Sequence, residues 1–320
     1  MKRPLCLLAA LLLAALCACG GAPSPAETAA PAADRPAATT LTFTDDLGRE
    51  VTAPAPPQRV AALLGSYADV WRLAGGQDTL VAAAHDAWTD FALDLDSGVA
   101  DLGGLLEPSL EALIAAEPDF VIASSNTAAH LELQSALEAL GIPVAYFDVN
   151  SFADYLVMLQ TCTMLTGRDD LYQQNGLDVQ AQVDDAKAQA DGSAPTVLVL
   201  RAAGSSCKVK NSRGTVLGEL LADLGAVNIA DSDTQLLEDL SLERILADDP
   251  DCIFVVYQGD DEAAARRTLE AALTANPAWN TLTAVQQGRF YVMDKQLFHL
   301  KPNARWGEAY QQAAALLYGG

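Results

Sequence analysis

The sequence predicts an α/β protein with two lobes of similar build, whose sheets are mostly parallel and which are joined by a long helical element. Three observations lead to this prediction. A stretch of fifteen residues occurs twice, strand and helix patterns alternate in both halves of the chain, and the residues between the halves carry only a helical pattern. The chain has 320 residues, which is enough for two domains of ordinary size.

The repeated stretch reads SLEALIAAEPDFVIA at residues 109–123 and SLERILADDPDCIFV at residues 241–255. In each copy a serine, Ser109 or Ser241, is a typical N-cap for the short apolar-periodic helix that follows. A proline then ends the helix, because the residue before a proline resists the α conformation. The apolar run after the proline suits a strand that is buried on both faces. Each half is therefore predicted to contain the same helix, corner and central strand.

Around the two copies, strand and helix patterns alternate, which favours mostly parallel sheets. Residues 41–53 alternate apolar and polar around Asp-Leu-Gly and predict a β-hairpin. The first half has further predicted strands at 59–63, 80–84 and 144–147 and helices at 68–73 and 129–140. The second half has predicted strands at 196–200, 252–257 and 289–293 and helices at 216–224, 263–275 and 305–318.

Residues 152–190 contain no strand pattern. Apolar residues follow helical spacing from Phe152 onward, Gly167-Arg168-Asp169-Asp170 interrupts them, and the helical pattern resumes at Leu171. A long helical segment between two α/β units predicts a rigid connector.

The first residues have the features of a bacterial targeting segment. Lys2 and Arg3 precede an apolar run at residues 5–16 that is too short to span a membrane stably. The following Leu-Cys-Ala-Cys-Gly resembles a bacterial lipobox, which implies cleavage before Cys19, diacylation of its thiol and a lipid-anchored protein outside the cytoplasm. An ordinary secretory peptide is the alternative. Residues 20–40 are rich in Ala, Pro and Thr and predict a disordered tether.

These features divide the chain into five parts: a lipoprotein signal peptide (1–18), a tether (19–40), an N-terminal lobe (41–150), a connecting helix (151–194) and a C-terminal lobe (195–320). The formal net charge of −23 argues against a nucleic-acid partner. Cys162, Cys207 and Cys252 are too widely spaced for a disulfide framework or a cysteine metal site, and a single Cys162–Cys207 bridge stays open.

Four cations crowd one stretch directly after the first strand of the second half: Arg201, Lys208, Lys210 and Arg213. Ligands of open α/β sheets bind beyond the carboxyl ends of the strands, so these cations predict an anionic ligand. Lys301 and Arg305 extend the set, and a solvated loop is the alternative. In the first half, Tyr67, His85, Trp88 and Asn126 fall in loops after strands and are predicted to contact the same ligand. The three histidines are not spaced as ligands of a bare metal ion, although His85, His299 or Tyr67 would suit an axial position on haem iron.

The chain resembles the substrate-binding lipoproteins of ABC importers that carry ferric siderophores, haem or cobalamin. The resemblance rests on the lipobox, PPQRVAALLGSYADVWRLAGG, EPSLEALIAAEPDFVIASS, the connector ending MLTG, LSLERILADDPDCIFVV and NPAWNTLTAVQQGRFYVM, in that order. It implies two Rossmann-like lobes on one long rigid helix, with a ligand cleft between them and little hinge motion. It also implies a monomeric binding protein without catalytic residues or cofactor, whose partners are a metal chelate, a permease and, through it, a cytoplasmic ATPase.

In that family a glutamate on each lobe docks onto arginines of the permease. The matching positions here are Glu111 and Glu243, which lie two residues after the capping serines of the two repeat copies. The alternative is that each glutamate only stabilises a helix N-terminus, by roughly 0.3–1 kcal/mol.

Two rival functions are weaker. Direct capture of Zn²⁺ or Mn²⁺ predicts clustered histidines, and the sequence has none. A surface-anchored hydrolase predicts a nucleophile with a partner base, but the sequence has neither a GxSxG elbow nor a glycine-rich nucleotide fingerprint.

Overall fold

A computed structural model describes residues 39–319, which fall within one compact unit. The predicted signal peptide, Cys19 and nearly all of the predicted tether lie outside the described residues. Among the residues described, no helix has the length and apolar character needed to cross a membrane. Cys162, Cys207 and Cys252 are all free thiols, so the Cys162–Cys207 bridge does not form.

The first half contains a small hairpin and a five-stranded sheet. Its strands are β1 (Thr40–Thr44), β2 (Glu50–Pro54), β3 (Val60–Ala62), β4 (Leu80–Ala83), β5 (Ala100–Asp101), β6 (Phe120–Ser124) and β7 (Val144–Phe147). Strands β1 and β2 pair antiparallel, as the Asp-Leu-Gly turn predicts. The sheet has the order β5-β4-β3-β6-β7, and all its neighbouring strands are parallel.

The second half has a separate five-stranded sheet. Its strands are β8 (Thr196–Ala203), β9 (Ser206–Lys210), β10 (Val227–Asn228), β11 (Cys252–Tyr257) and β12 (Phe290–Met293). The parallel order is β10-β8-β11-β12, and β9 returns from β8 as an antiparallel hairpin. Apart from β5 and β9, both sheets therefore share one strand order, in which the second strand lies on one side of the first and the remaining two follow on the other side. The predicted mixed α/β fold with mostly parallel sheets is confirmed.

Helices connect these strands and cover the sheets. In the first half they are α1 (Gly65–Leu73), α2 (Asp86–Thr89), α3 (Leu110–Ala115), α4 (Ala128–Glu132) and α5 (Gln134–Ala139). The connector contains α6 (Phe152–Thr166), α7 (Asp169–Tyr172) and α8 (Asp178–Lys187), with a π-helical turn at Gln173–Leu177. The second half has α9 (Val216–Asp223), α10 (Gln235–Glu238), α11 (Leu242–Asp248), α12 (Glu262–Leu269), α13 (Thr283–Gln286), α14 (Lys295–Phe298) and α15 (Trp306–Tyr318).

The repeated stretch forms the same local structure in both halves. The hydroxyl of Ser109 accepts a hydrogen bond from the Ala112 amide at 3.1 Å and starts α3, and Ser241 caps α11 in the same way. A residue in the left-handed region follows each helix and precedes the proline: Glu117 with φ 46° and Asp249 with φ 40°. The following proline then directs the chain into a fully buried strand, β6 or β11.

The aspartate after each proline ties its strand to the first parallel strand of its own sheet. The carboxylate of Asp119 accepts hydrogen bonds from the amides of Gln58 and Arg59, both at 2.9 Å, just before β3. The carboxylate of Asp251 accepts from the amide and hydroxyl of Thr196, at 2.7 and 2.8 Å, at the start of β8. The sequence repeat thus corresponds to a structural repeat at equivalent positions in the two sheets.

The connector is helical, as predicted, but it folds back on itself instead of running as one rod. Gly167 adopts a left-handed conformation with φ 72°, which ends α6 and reverses the chain. The returning arm packs closely on α6, because a Cβ at Gly176 would lie only 3.2 Å from side-chain atoms of Leu156. The hydroxyl of Tyr155 also donates to the carbonyl of Asn175 across the two arms, at 2.8 Å.

The largest hydrophobic cluster runs from the first sheet through the connector to the second sheet. It includes Phe120 of β6, Phe152 of α6, Phe254 of β11 and Tyr310 of α15. Two smaller clusters cover the other face of each sheet. The two halves therefore share one continuous apolar core on the connector side.

Residues 294–305, which we call the strap, leave β12 and cross to the first half. Lys295 forms an ion pair with Asp90 at 2.8 Å, and Asn303 donates from its amide to the carbonyl of Ser66 at 2.9 Å and to Asp69 at 2.8 Å. The strap thereby links the two halves a second time, through side-chain contacts and not through the helical connector.

Candidate functional site

A cleft lies between the two sheets at the carboxyl ends of their parallel strands. It consists of two adjoining cavities of about 180 and 480 Å³, which share Asn150, Gly214, His299 and Lys301 in their walls. The loops that follow β3 and β6 form one wall, and β8 and β11 contribute to the other. In both sheets these two strands lie at the point where the strand order reverses, which is the usual ligand position in open α/β sheets.

The wall from the second half carries cations on the β8–β9 hairpin. Arg201 of β8 lies directly opposite Lys208 of β9, and Val199 lies opposite Lys210, so all four side chains share one face of the hairpin. Arg201 and Lys210 line the cleft, while Lys208 is exposed at its rim. Within residues 39–319, none of these three cations has a carboxylate partner.

This arrangement is unfavourable for the free protein, since like charges directly opposite across two strands repel. Burial lowers the pKa of Arg201, and burial together with Arg201 and Lys208 lowers the pKa of Lys210. Both shifts mean that the surroundings disfavour the charged forms. A bound anion would offset this cost.

The strap places two further nitrogen-bearing side chains in the cleft. Burial lowers the pKa of Lys301 to about 8, although Asp148 and Asp154 favour its charged form, and its amine donates to the Asn150 side chain at 3.3 Å. Burial and the nearby cations Arg201, Lys295 and Lys301 lower the pKa of His299 to about 4. His299 is therefore a neutral imidazole at neutral pH, and it is the only one of the three proposed axial haem ligands that lines the cleft.

The wall from the first half is acidic and polar. The carboxylate of Asp148, just after β7, accepts hydrogen bonds from the side-chain amides of Asn126 and Asn150. Asp86, after β4, accepts from the Gly65 amide at 2.8 Å, and burial raises its pKa. Asp86 and Asp148 are the two carboxylates that line this part of the cleft.

The structure brings Asn126, Arg201, Lys210 and Lys301 of the predicted contacts to the cleft, with Lys208 at the edge. Arg213 is exposed and lines neither cavity, and the structure also keeps Tyr67, His85, Trp88 and Arg305 out of the cleft. Tyr67 is buried in the core, where its hydroxyl donates to the Phe147 carbonyl at 2.9 Å, because its position on α1 points the ring at the sheet. Its neighbour Ser66 lines the cleft instead.

His85, Trp88 and Arg305 are occupied by other contacts. The ring of His85 is exposed and pairs with Asp101 at 2.7 Å. Trp88 packs against the largest hydrophobic cluster, and Arg305 forms an ion pair with Glu308 at 2.8 Å on a groove beside the cleft. None of these three side chains lines the cavities between the sheets.

Sequence reasoning missed Asp86, Asp148 and Asn150. Asp148 and Asn150 stand directly after the predicted strand 144–147, so the rule that identified Arg201 would also have identified them. Their contact with Lys301 could not be foreseen, because the two segments are about 150 positions apart in the chain.

Glu111 and Glu243 are exposed in the first turns of α3 and α11. Within the described part of the chain neither carboxylate forms an ion pair or a side-chain hydrogen bond, whereas the neighbouring Arg244 is paired with Asp233 at 2.6 Å. The two glutamates therefore occupy equivalent, unpaired positions on the two halves.

Two parallel sheets of similar topology that face each other across a polar cleft define a two-lobed binding protein. The family model described as periplasmic binding protein matches residues 60–297. The chain belongs to the periplasmic binding protein family, a family of binding proteins and not of enzymes. The family resemblance predicted from the sequence is confirmed.

Individual relatives are distant. The chain is 24% identical over 255 residues to the Fe(3+)-citrate-binding protein YfmC of Bacillus subtilis (strain 168), covering 78% of this chain and 77% of the relative. It is 25% identical over 226 residues to the vitamin B12-binding protein of Pectobacterium atrosepticum, covering 68% and 78%. The crystal structure of Staphylococcus aureus SirA complexed with staphyloferrin B has a TM-score of 0.65 and 19% identity, covering 88% of this chain and 98% of that one, which shows a shared fold.

Proposed function

We propose that this protein is the substrate-binding component of an ABC importer, and that it captures an anionic metal chelate in the cleft and delivers it to a membrane permease. The names of its relatives support this class of cargo, since they include proteins that bind ferric citrate and vitamin B12. The proposed cargo is a ferric siderophore, haem or a cobalamin. The proposed anchor is a diacylated Cys19, which would hold the protein at the outer face of the cytoplasmic membrane.

One observation supports the proposal that the cargo is anionic. Arg201, Lys208 and Lys210 are gathered on one face of a hairpin, and the described residues provide no carboxylate to neutralise them. A solvated loop, the alternative from the sequence, would not place two of these cations in the wall of a cavity. Guanidinium and ammonium groups held unpaired in a partly desolvated cleft suit carboxylate, catecholate or phosphate oxygens.

The delivery step is proposed to use Glu111 and Glu243. Both carboxylates are exposed and unpaired at equivalent positions of the two lobes, as a contact with two arginines of a permease would require. Reversing both charges, in Glu111→Arg with Glu243→Arg, should abolish uptake into cells and leave chelate affinity unchanged. A matched control reverses two exposed acidic residues of the connector, Asp184 and Asp185. A loss of chelate affinity in the glutamate variant would contradict the docking role.

The cargo is tested by quenching of tryptophan fluorescence in the purified protein. Haem, cyanocobalamin and a panel of ferric siderophores are titrated separately, and saturable binding in the micromolar range or tighter is expected for one of them. Binding of none of these, together with binding of Zn²⁺ or Mn²⁺, would replace the proposal by direct capture of a metal ion. Among residues 39–319, no group of three or more His, Cys, Asp or Glu side chains is arranged to hold such an ion.

A further inference from the structure

The two walls of the cleft carry opposite charges. The lining residues from the first half include the carboxylates Asp86 and Asp148, and in the described part of the cleft none of them is a lysine or arginine. The lining residues from the second half include Arg201, Lys210 and Lys301, and none of those described is an aspartate or glutamate. The cleft is therefore a gap between an acidic and a basic surface.

These opposite charges do not neutralise each other directly. No ion pair joins Asp148 or Asp86 to Arg201, Lys210 or Lys301 in the described structure. Within residues 39–319, the only direct polar contact between these charged walls is the hydrogen bond from Lys301 to the uncharged side chain of Asn150. Burial alone accounts for the lowered pKa of Arg201, with no contribution from a carboxylate. Lys301 therefore reaches the first wall through Asn150, and Asp148 favours its charged form, whereas Arg201 and Lys210 make no polar side-chain contact with that wall in the described structure.

Hydrogen bonds hold the carboxylate of Asp148 in one orientation at the cleft. Its oxygen Oδ1 accepts from the amides of both Asn126 and Asn150, and its backbone amide donates to Asp46 at 2.6 Å. The second oxygen, Oδ2, has no hydrogen-bond donor among the described residues. The carboxylate is thus oriented by two amides on one side and left free on the other.

We propose that the cleft selects a dipolar chelate, whose anionic face meets Arg201 and Lys210 and whose protonated amine meets Asp148. This inference rests on the proposed function and specifies the class of its ligand. A chelate with negative charge on all sides would place an anion against Asp148, and such like-charge contacts in a partly desolvated site oppose binding. An amine on that side instead gains a charge-assisted hydrogen bond. Asp148 is then the residue that sets specificity, while the basic wall sets affinity.

The test uses two synthetic ferric chelates that differ by a single charge. In the first, one carboxylate of diethylenetriaminepentaacetic acid is coupled through an amide to ethylenediamine, which leaves an anionic chelate with an ammonium tail. In the second, the tail amine is acetylated and therefore neutral. Calorimetric titration of the full-length protein at neutral pH and low salt should show the ammonium form binding about tenfold tighter or more, the usual scale of a charge-assisted hydrogen bond.

Asp148→Asn removes the charge but keeps one carbonyl oxygen for the amides of Asn126 and Asn150, so the wall should keep its structure. We expect this variant to bind both chelates with nearly equal affinity. Asp185→Asn is the matched control, since Asp185 is exposed on the connector and its replacement removes the same single negative charge. It should leave the tenfold ratio intact.

The outcomes separate the two levels of the proposal. If both chelates bind the native protein equally, or if Asp148→Asn leaves their ratio unchanged, the inference about a dipolar ligand is overturned while chelate capture stands. If neither synthetic chelate binds and no ferric siderophore, haem or cobalamin binds either, the proposed function itself is overturned, and the inference falls with it. If a natural chelate binds but neither synthetic one does, an anionic chelate with an amine is not sufficient for recognition, which also overturns the inference.

Discussion

Replacement of His130 by glutamine should change the pH dependence of stability, not only its level. His130 is fully buried below the cleft. Its Nδ1 accepts from the amide of Ser124 at 3.1 Å, and its Nε2 donates to the carbonyl of Leu105 at 3.0 Å. Leu105 and Ser124 both line the cleft, so this imidazole fixes the loop that carries Leu105 to the end of β6. Only the neutral ring can accept from Ser124, because protonation puts a hydrogen on Nδ1.

The magnitude follows from the shifted pKa. Burial lowers the pKa of His130 from 6.5 to about 4, so the unfolded chain binds this proton at a higher pH than the folded chain does. The stabilising contribution is therefore complete above pH 6.5 and decreases as the pH falls toward 4. At 1.36 kcal/mol per pKa unit the full loss is about 3 kcal/mol, and about 2 kcal/mol of it has occurred by roughly pH 5.

Urea unfolding at about pH 7 and about pH 5 measures this contribution. At neutral pH, His130→Gln should be less stable than the native protein by roughly 1–3 kcal/mol, because buried backbone groups lose a partner. At the lower pH this deficit should shrink by about 2 kcal/mol, since only the chain that carries His130 gains a proton when it unfolds.

Tyr146→Phe is the matched control for His130→Gln. It removes the hydrogen bond from the Tyr146 hydroxyl to the His130 carbonyl, which spans 2.9 Å, without removing a group that titrates in this range. Its deficit should be the same at both pH values. An equal deficit of His130→Gln at both pH values would refute the linkage.

Three further predictions concern the cleft and the strap. Arg201→Met should weaken binding of an anionic chelate by about ten- to a hundredfold in fluorescence titrations, while Arg267→Met, which removes an exposed arginine of α12, should not. Because the pKa of Lys301 is about 8, affinity for an anionic chelate should fall as the pH rises through that value, and Lys301→Met should remove the fall. Asn303 has φ 53° and binds the first half through its amide, so Asn303→Ala should lower the free energy of unfolding by roughly 2–3 kcal/mol, and Asn303→Gly by about 1 kcal/mol less.

The architecture could be predicted because it depends on local patterns. A capping serine, a proline and an apolar run mark the same helix, corner and strand in each half, and the structure places β6 and β11 at equivalent positions. The interruption at Gly167 was also visible in the sequence. The direction of the chain after Gly167 could not be predicted, because a left-handed glycine can end a helix in many directions. The packing of Gly176 on α6 holds the two arms of the connector together as a helical hairpin.

Most of the site residues that could be predicted come shortly after a predicted strand. Arg201 and Lys210 could be predicted because they belong to a cluster of cations that comes directly after a predicted strand. Tyr67 follows a strand equally well, but the rotation of α1 turns its ring into the core. The acidic wall and the contact of Lys301 with Asn150 depend on segments far apart in the chain, and periodicity and spacing describe only neighbours along the sequence.

The β8–β9 hairpin has no counterpart in the first sheet, although the four parallel strands of the second sheet correspond to β3, β4, β6 and β7 of the first. Two of the three cations on this face of the hairpin, Lys208 and Lys210, lie on the single strand β9. A change of cargo during divergence would therefore need only a few exchanges on one short ribbon, while the duplicated framework and its buried core stay as they are. Replacing Ser206–Lys210 by the matching segment of another binding protein is therefore a direct way to change which ligand this protein binds.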